Sequence, residues 1–141
     1  MLTGGCLCGE VRYETDATPV DRGICHCETC RRVHTAPMVA WFSVPRDSFR
    51  LVSGEPKSFA SSEHVARKFC PTCGAHVIFD DRRSPSEIDI AVASLDDPNA
   101  AAPEMHIWVT RRLPWVKICD GLREHAESSR SPIVQPASGG N

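Results

Sequence analysis

At 141 residues the chain has the length of one domain with a genuine core, and its 41% hydrophobic and 24% charged residues are ordinary for a globular protein. Sixteen Lys and Arg against eighteen Asp and Glu leave a net charge of −2, which offers no basic field to nucleic acid or to an anionic membrane. No apolar run approaches the roughly 20 residues of a membrane span, and Met1-Leu2-Thr3-Gly4-Gly5 lacks the basic and apolar regions of a signal peptide, so a cytoplasmic protein is expected.

In chain order, Gly9 to Thr15 alternates with Val11 and Tyr13 on one face, the pattern of a short strand. Ile24 leads a second extended segment into a cysteine cluster. Glu28 to His34 has the length of one or two helical turns before Pro37 stops it. Met38 to Val44 is an apolar strand ended by Pro45, and Phe49 to Ser53 is another, closed by Gly54 and Pro56. Lys57 to Ser61 and Val65 to Phe69 form the arms of a hairpin. Ala75 to Phe79, the alternation of Ile88, Ile90 and Val92, and His106 to Val109 supply the remaining strands. Asp96 and Asp97 read as a turn and Asp97 to Pro103 as a loop. So many short strands without a long amphipathic helix predict a mainly β domain over residues 1–127. From Ser128 to the end a Ser-, Pro- and Gly-rich tail, 128–141, lacks the apolar content to pack.

The chemistry lies in the cysteines. Eight of them in a chain without an export signal point to metal rather than to disulfides. The short pairs Cys6-Leu7-Cys8, Cys25-His26-Cys27, Cys27-Glu28-Thr29-Cys30 and Cys70-Pro71-Thr72-Cys73 have the spacing of chelating ligands. Two divisions are open. Cys6, Cys8, Cys70 and Cys73 can close one four-cysteine zinc site and leave Cys25, Cys27 and Cys30 as an open one. Alternatively Cys27 and Cys30 join Cys70 and Cys73 as a zinc ribbon. The first division uses every clustered cysteine and is the one preferred, giving two zinc ions per chain.

Three stretches in order carry a family resemblance: Gly4-Gly5-Cys6-Leu7-Cys8-Gly9-Glu10-Val11-Arg12-Tyr13, Cys25-His26-Cys27 with Cys30-Arg31-Arg32, and Phe69-Cys70-Pro71-Thr72-Cys73-Gly74. With Ala93-Ser94-Leu95-Asp96, His106-Ile107-Trp108, Leu113-Pro114-Trp115 and Asp120-Gly121-Leu122, the chain resembles the glutathione-dependent formaldehyde-activating enzyme family, which includes centromere-protein-V-like domains. The resemblance implies an Mss4-like zinc-stabilised β-sheet fold. It implies a structural zinc on Cys6, Cys8, Cys70 and Cys73, and a catalytic zinc on Cys25, Cys27 and Cys30. The implied activity is that of a carbon–sulfur lyase, joining glutathione and formaldehyde as S-hydroxymethylglutathione.

The residues themselves lead to similar chemistry. Three thiolates on a divalent ion leave a formal charge of −1, a poor setting for water activation and a good one for holding an incoming thiol as thiolate. A small-molecule thiol is therefore the expected partner. Arg31 and Arg32 stand beside the cluster as candidates for substrate carboxylates. Trp41 and Phe42 are candidates to wall the open corner. The competing expectation is a closed second site, with His34 one helical turn after Cys30 as fourth ligand and His26, His76 and Cys119 as further candidates. In that case the protein is a zinc-stabilised binding module. Cys119 is otherwise expected as a small buried residue, and Trp108 and Trp115 as core.

Overall fold

A computed structural model describes residues 1–134, and short strands dominate it. Leu2–Gly5 (β1), Arg12–Thr15 (β2) and Phe49–Ser53 (β5) form a small antiparallel sheet in the order β1-β2-β5. A larger sheet contains Val20–Cys25 (β3), Val39–Pro45 (β4), Lys57–Ala60 (β6), Val65–Phe69 (β7), His76–Asp81 (β8), Glu87–Ala91 (β9), Met105–Ile107 (β10) and Arg123–Glu124 (β11). Its order is β11-β10-β3-β4-β9-β8-β7-β6, antiparallel except where β10 runs parallel to β3 and β11. One helix, Glu28–His34 (α1), joins β3 to β4. The mainly β class predicted from strand spacing is the class observed, and β6 and β7 pair as the expected hairpin.

Alternation along β4 and β9 divides the large sheet into two working faces. Phe42, Val44, Ile88 and Ile90 point one way and meet Val11, Tyr13 and Val77 in the main core. Phe42, Val44 and Ile90 are wholly buried, and each such side chain stabilises by roughly 1.5–3 kcal/mol. The alternate residues Trp41, Ser43 and Asp89 line a cavity on the other face. The small sheet is tied down by the Gly4–Leu95 bridge and by a 2.7 Å hydrogen bond between Tyr13 Oη and Ser94 Oγ. Glycine is needed at position 4, because a Cβ there would collide with the Tyr13 ring and the Ser94 carbonyl.

Several local expectations are corrected. The helix α1 has the expected bounds, but Thr35, in left-handed conformation, ends it two residues before Pro37. Val92 and Val109 leave their strands for 3-10 turns, and the expected loop holds a further such turn, Pro98–Ala101, capped by Asp97. Asp96 is more than a turn residue, since it pairs with Arg12 and accepts from Thr3 Oγ1 at 2.6 Å. Trp115 is 67% exposed and Cys119 is exposed, because no strand between β10 and β11 carries their stretch inward. Beyond Ser128 the chain folds back: Ala126 N–H donates to the Pro132 carbonyl at 3.0 Å and Ile133 bridges to His125. The rest of the segment read as tail, 135–141, lies outside the described residues. No helix among the described residues is long and apolar enough to cross a membrane.

Candidate metal centres

The turn after β1 brings Cys6 and Cys8 to the turn between β7 and β8, which carries Cys70 and Cys73. The four sulfurs lie within 4.8 Å of one another, with Cys6–Cys8 at 3.6 Å and Cys8–Cys70 at 3.7 Å. A tetrahedral zinc with bonds of about 2.3 Å to sulfur has edges of about 3.8 Å, so the donor set and its size suit that ion. Backbone N–H groups of Val11 and Cys73 donate to the Cys6 and Cys70 sulfurs at 3.3 and 3.5 Å, the partners a thiolate needs when taken from water. The turns carry positive φ at Gly9 and Gly74, +82° and +77°, which glycine adopts without cost from a side chain.

Cys25, Cys27 and Cys30 form the second group, their sulfurs also within 4.8 Å of one another. Cys25 ends β3, Cys27 is the N-cap of α1 and accepts from Cys30 N–H at 3.4 Å, and Cys30 is buried in the first turn. The segment is anchored from behind. His26 N–H donates to the Ile107 carbonyl at 3.1 Å, and its ring is 2.9 Å from His106, which is 2.7 Å from Asp120. Hydrogen bonds from Cys25 and Cys30 hold Cys27 down to about 2, while Cys27, Cys30 and burial push Cys25 up. Three crowded sulfurs of this kind ionise together only around a cation, and the set suits a soft divalent metal. The ribbon division, with Cys27 and Cys30 beside Cys70 and Cys73, is not the one the fold brings together.

A cavity of about 600 Å³ opens on this second group. Trp41, Phe79 and Trp108 wall it, Arg67 reaches into it, and Ser43 with Asp89 lie farther along the sheet. Burial pushes the Asp89 carboxyl up to about 6, although Ser43 Oγ donates to it at 2.6 Å. A folded pKa above the unfolded one makes ionised Asp89 a cost that is absent below about pH 4 and fully present above about pH 6. Asp89→Asn should therefore raise unfolding free energy by on the order of 1–3 kcal/mol near pH 7.5 and by nothing near pH 3.5. Urea unfolding at the two pH values measures this, and an equal gain at both would refute it.

The remaining candidates are dispersed. Arg31 donates to the His26 carbonyl at 3.2 Å and Arg32 pairs with Glu28 on the surface; neither lines the cavity. Phe42 faces the main core, leaving Trp41 as the cavity wall. His34 lies outside the three-sulfur group, against Trp41 and His76 at ring separations of 5.2 and 5.6 Å. Burial, His76 and Arg67 press its pKa down to about 4. Among the described residues three non-glycines have positive φ: Asp21 and Trp108 line the cavity, and Thr35 caps the helix that carries Cys30. Arg67, Phe79 and Asp89 were not anticipated. For Arg67 the available signal was phase, since it shares the buried register of Val65, two residues away, whereas Asp89 alternates with the buried Ile88 and Ile90 and reads as outward.

Comparison with known proteins places these features in context. The family profile described as glutathione-dependent formaldehyde-activating enzyme matches residues 1–111. A Schizosaccharomyces pombe protein named as an uncharacterized lyase is 32% identical over 76 residues, 54% of this chain and 55% of that protein. The chain thus spans about half the length of that relative. A solved Rhodobacter sphaeroides protein is 26% identical, with a TM-score of 0.58 over 67% of this chain and 87% of its own. The paired sheets and two cysteine groups fit the Mss4-like type.

Proposed function

Because the chain belongs to the glutathione-dependent formaldehyde-activating enzyme family, we propose that it is a zinc-dependent carbon–sulfur lyase acting on a thiol adduct, with glutathione and formaldehyde as the substrate pair. Cys6, Cys8, Cys70 and Cys73 would hold a structural zinc, and Cys25, Cys27 and Cys30 a catalytic one. The observation that carries this reading is the contrast between a group of four sulfurs and a group of three opening on a cavity. Zinc bound by the three cysteines would supply the positive charge that keeps a substrate thiol deprotonated at neutral pH. Trp41, Phe79 and Trp108 shield the reacting sulfur from water, which strengthens its electrostatic contacts. In the synthetic direction a carbon–sulfur bond forms as the carbonyl π bond breaks, and the thiol proton ends on the carbonyl oxygen. Reduced thiols are a condition of both centres, which fits a cytoplasmic setting.

The test is optical. With cobalt in place of zinc, millimolar glutathione should change the visible spectrum and the sulfur-to-metal charge-transfer band. A silent wild type together with a responsive His34→Ala variant would mean that histidine closes the second site, making the protein a binding module.

A further inference from the structure

Arg67 has an unusual environment for a charged side chain. It is 4% exposed, and no carboxylate among the described residues pairs with it, whereas Arg12, Arg46, Arg50, Arg83 and Arg112 each have one. Its Nε donates to Ser61 Oγ at 3.2 Å and its Nη1 to Cys30 Sγ at 3.5 Å. The guanidinium lies over the Phe79 ring, 4.6 Å from its centroid, and lines the cavity beside Cys25, Cys27 and Cys30. Arginine stays protonated in proteins, and a buried charge without a counter-charge is strongly destabilising. Of the groups it touches, Ser61 and Phe79 carry no net charge, so the compensating charge in direct contact is that of the cysteine group, with Asp81 and Asp89 also lining the cavity.

We propose that Arg67 makes the three-cysteine centre selective for an anionic fourth ligand, such as a substrate thiolate, over a neutral one. This rests on the reading of that centre as an open metal site. The charges decide it: three thiolates and a divalent ion sum to −1, and a bound thiolate makes the sum −2. With Arg67 included the same two states are 0 and −1. In a cavity of low dielectric the second pair is much the less costly. Arg67 is thus a positioning residue that acts through charge.

The experiment uses cobalt-substituted protein titrated with thiocyanate, an anionic ligand, and thiourea, a neutral one, with 2-mercaptoethanol to establish that a thiol binds. Wild type should favour thiocyanate, Arg67→Lys should keep that preference, and Arg67→Gln should weaken thiocyanate at least about tenfold with thiourea changed less than about threefold. Equal weakening of both ligands would reduce Arg67 to a packing role, and unaltered thiocyanate affinity would remove it altogether. If Arg67→Gln does not fold, the wild type decides alone, and a preference for thiourea overturns the proposal. A wild type that answers none of the three probes would refute the open site itself, an outcome distinct from loss of the Arg67 effect.

Discussion

Replacing Cys70 by serine should leave a chain that does not fold. Cys70 is wholly buried, its sulfur is 3.7 Å from that of Cys8, and it accepts a hydrogen bond from Cys73 N–H. The group joins residues more than sixty positions apart, tying the small sheet to the β7–β8 turn. Structural zinc of this kind contributes on the order of 10 kcal/mol of folding free energy, against a total stability of roughly 5–15 kcal/mol for a domain. Cys6→Ser should behave alike. Circular dichroism and melting of the purified variants would show it as loss of the cooperative transition. A Cys6→Ser protein that melts like wild type would mean the wrong four cysteines have been assigned to the structural ion.

Cys27→Ser and Cys30→Ser should have the opposite outcome: a folded protein holding one zinc where the proposed function gives wild type two, with no response to thiol. The three ligands lie within six residues, so a metal there closes a short loop and constrains the unfolded chain little. The segment is also held without metal, by pairing of β3 with β4 and by the His26–His106–Asp120 chain. Metal analysis beside a melting curve separates the cases. Chelator should remove this zinc first, since the four-cysteine site has no vacant position for an attacking ligand. Unfolding of Cys27→Ser with intact Cys6→Ser would reverse the two assignments.

Much of this arrangement was legible in the sequence because its signals are local. Alternation in Val11 and Tyr13 or Ile88 and Ile90 marks strands through side-chain phase alone. The cysteine pairs declare themselves because chelation requires short spacing. Matters set by distant residues were not legible. That β10 runs parallel to β3, placing His106 against His26, depends on a pairing across some eighty positions. Phase puts Arg67 of Val65-Ala66-Arg67-Lys68-Phe69 in the register of Val65, but says nothing of what that register faces. Only the packing of β7 beside β8 shows that its inward register opens on the cysteines. Trp115 and Cys119 went wrong for the converse reason: residue type favours burial, but their stretch lacks a partner element to bury them against.

Where positive φ falls gives the two centres different mechanical characters. At the four-cysteine centre it falls on Gly9 and Gly74, which occupy that region at ease. Around the three-cysteine centre it falls on Asp21, Thr35 and Trp108, side-chain-bearing residues for which it costs on the order of 1–3 kcal/mol each. One centre is relaxed and the other is spring-loaded. A relaxed centre has nothing to gain by moving and persists as built. A strained centre holds its geometry only because the surrounding structure fixes it. The backbone strain of the fold thus gathers around the three-cysteine group and its cavity, while the turns that carry the four-cysteine group are free of it.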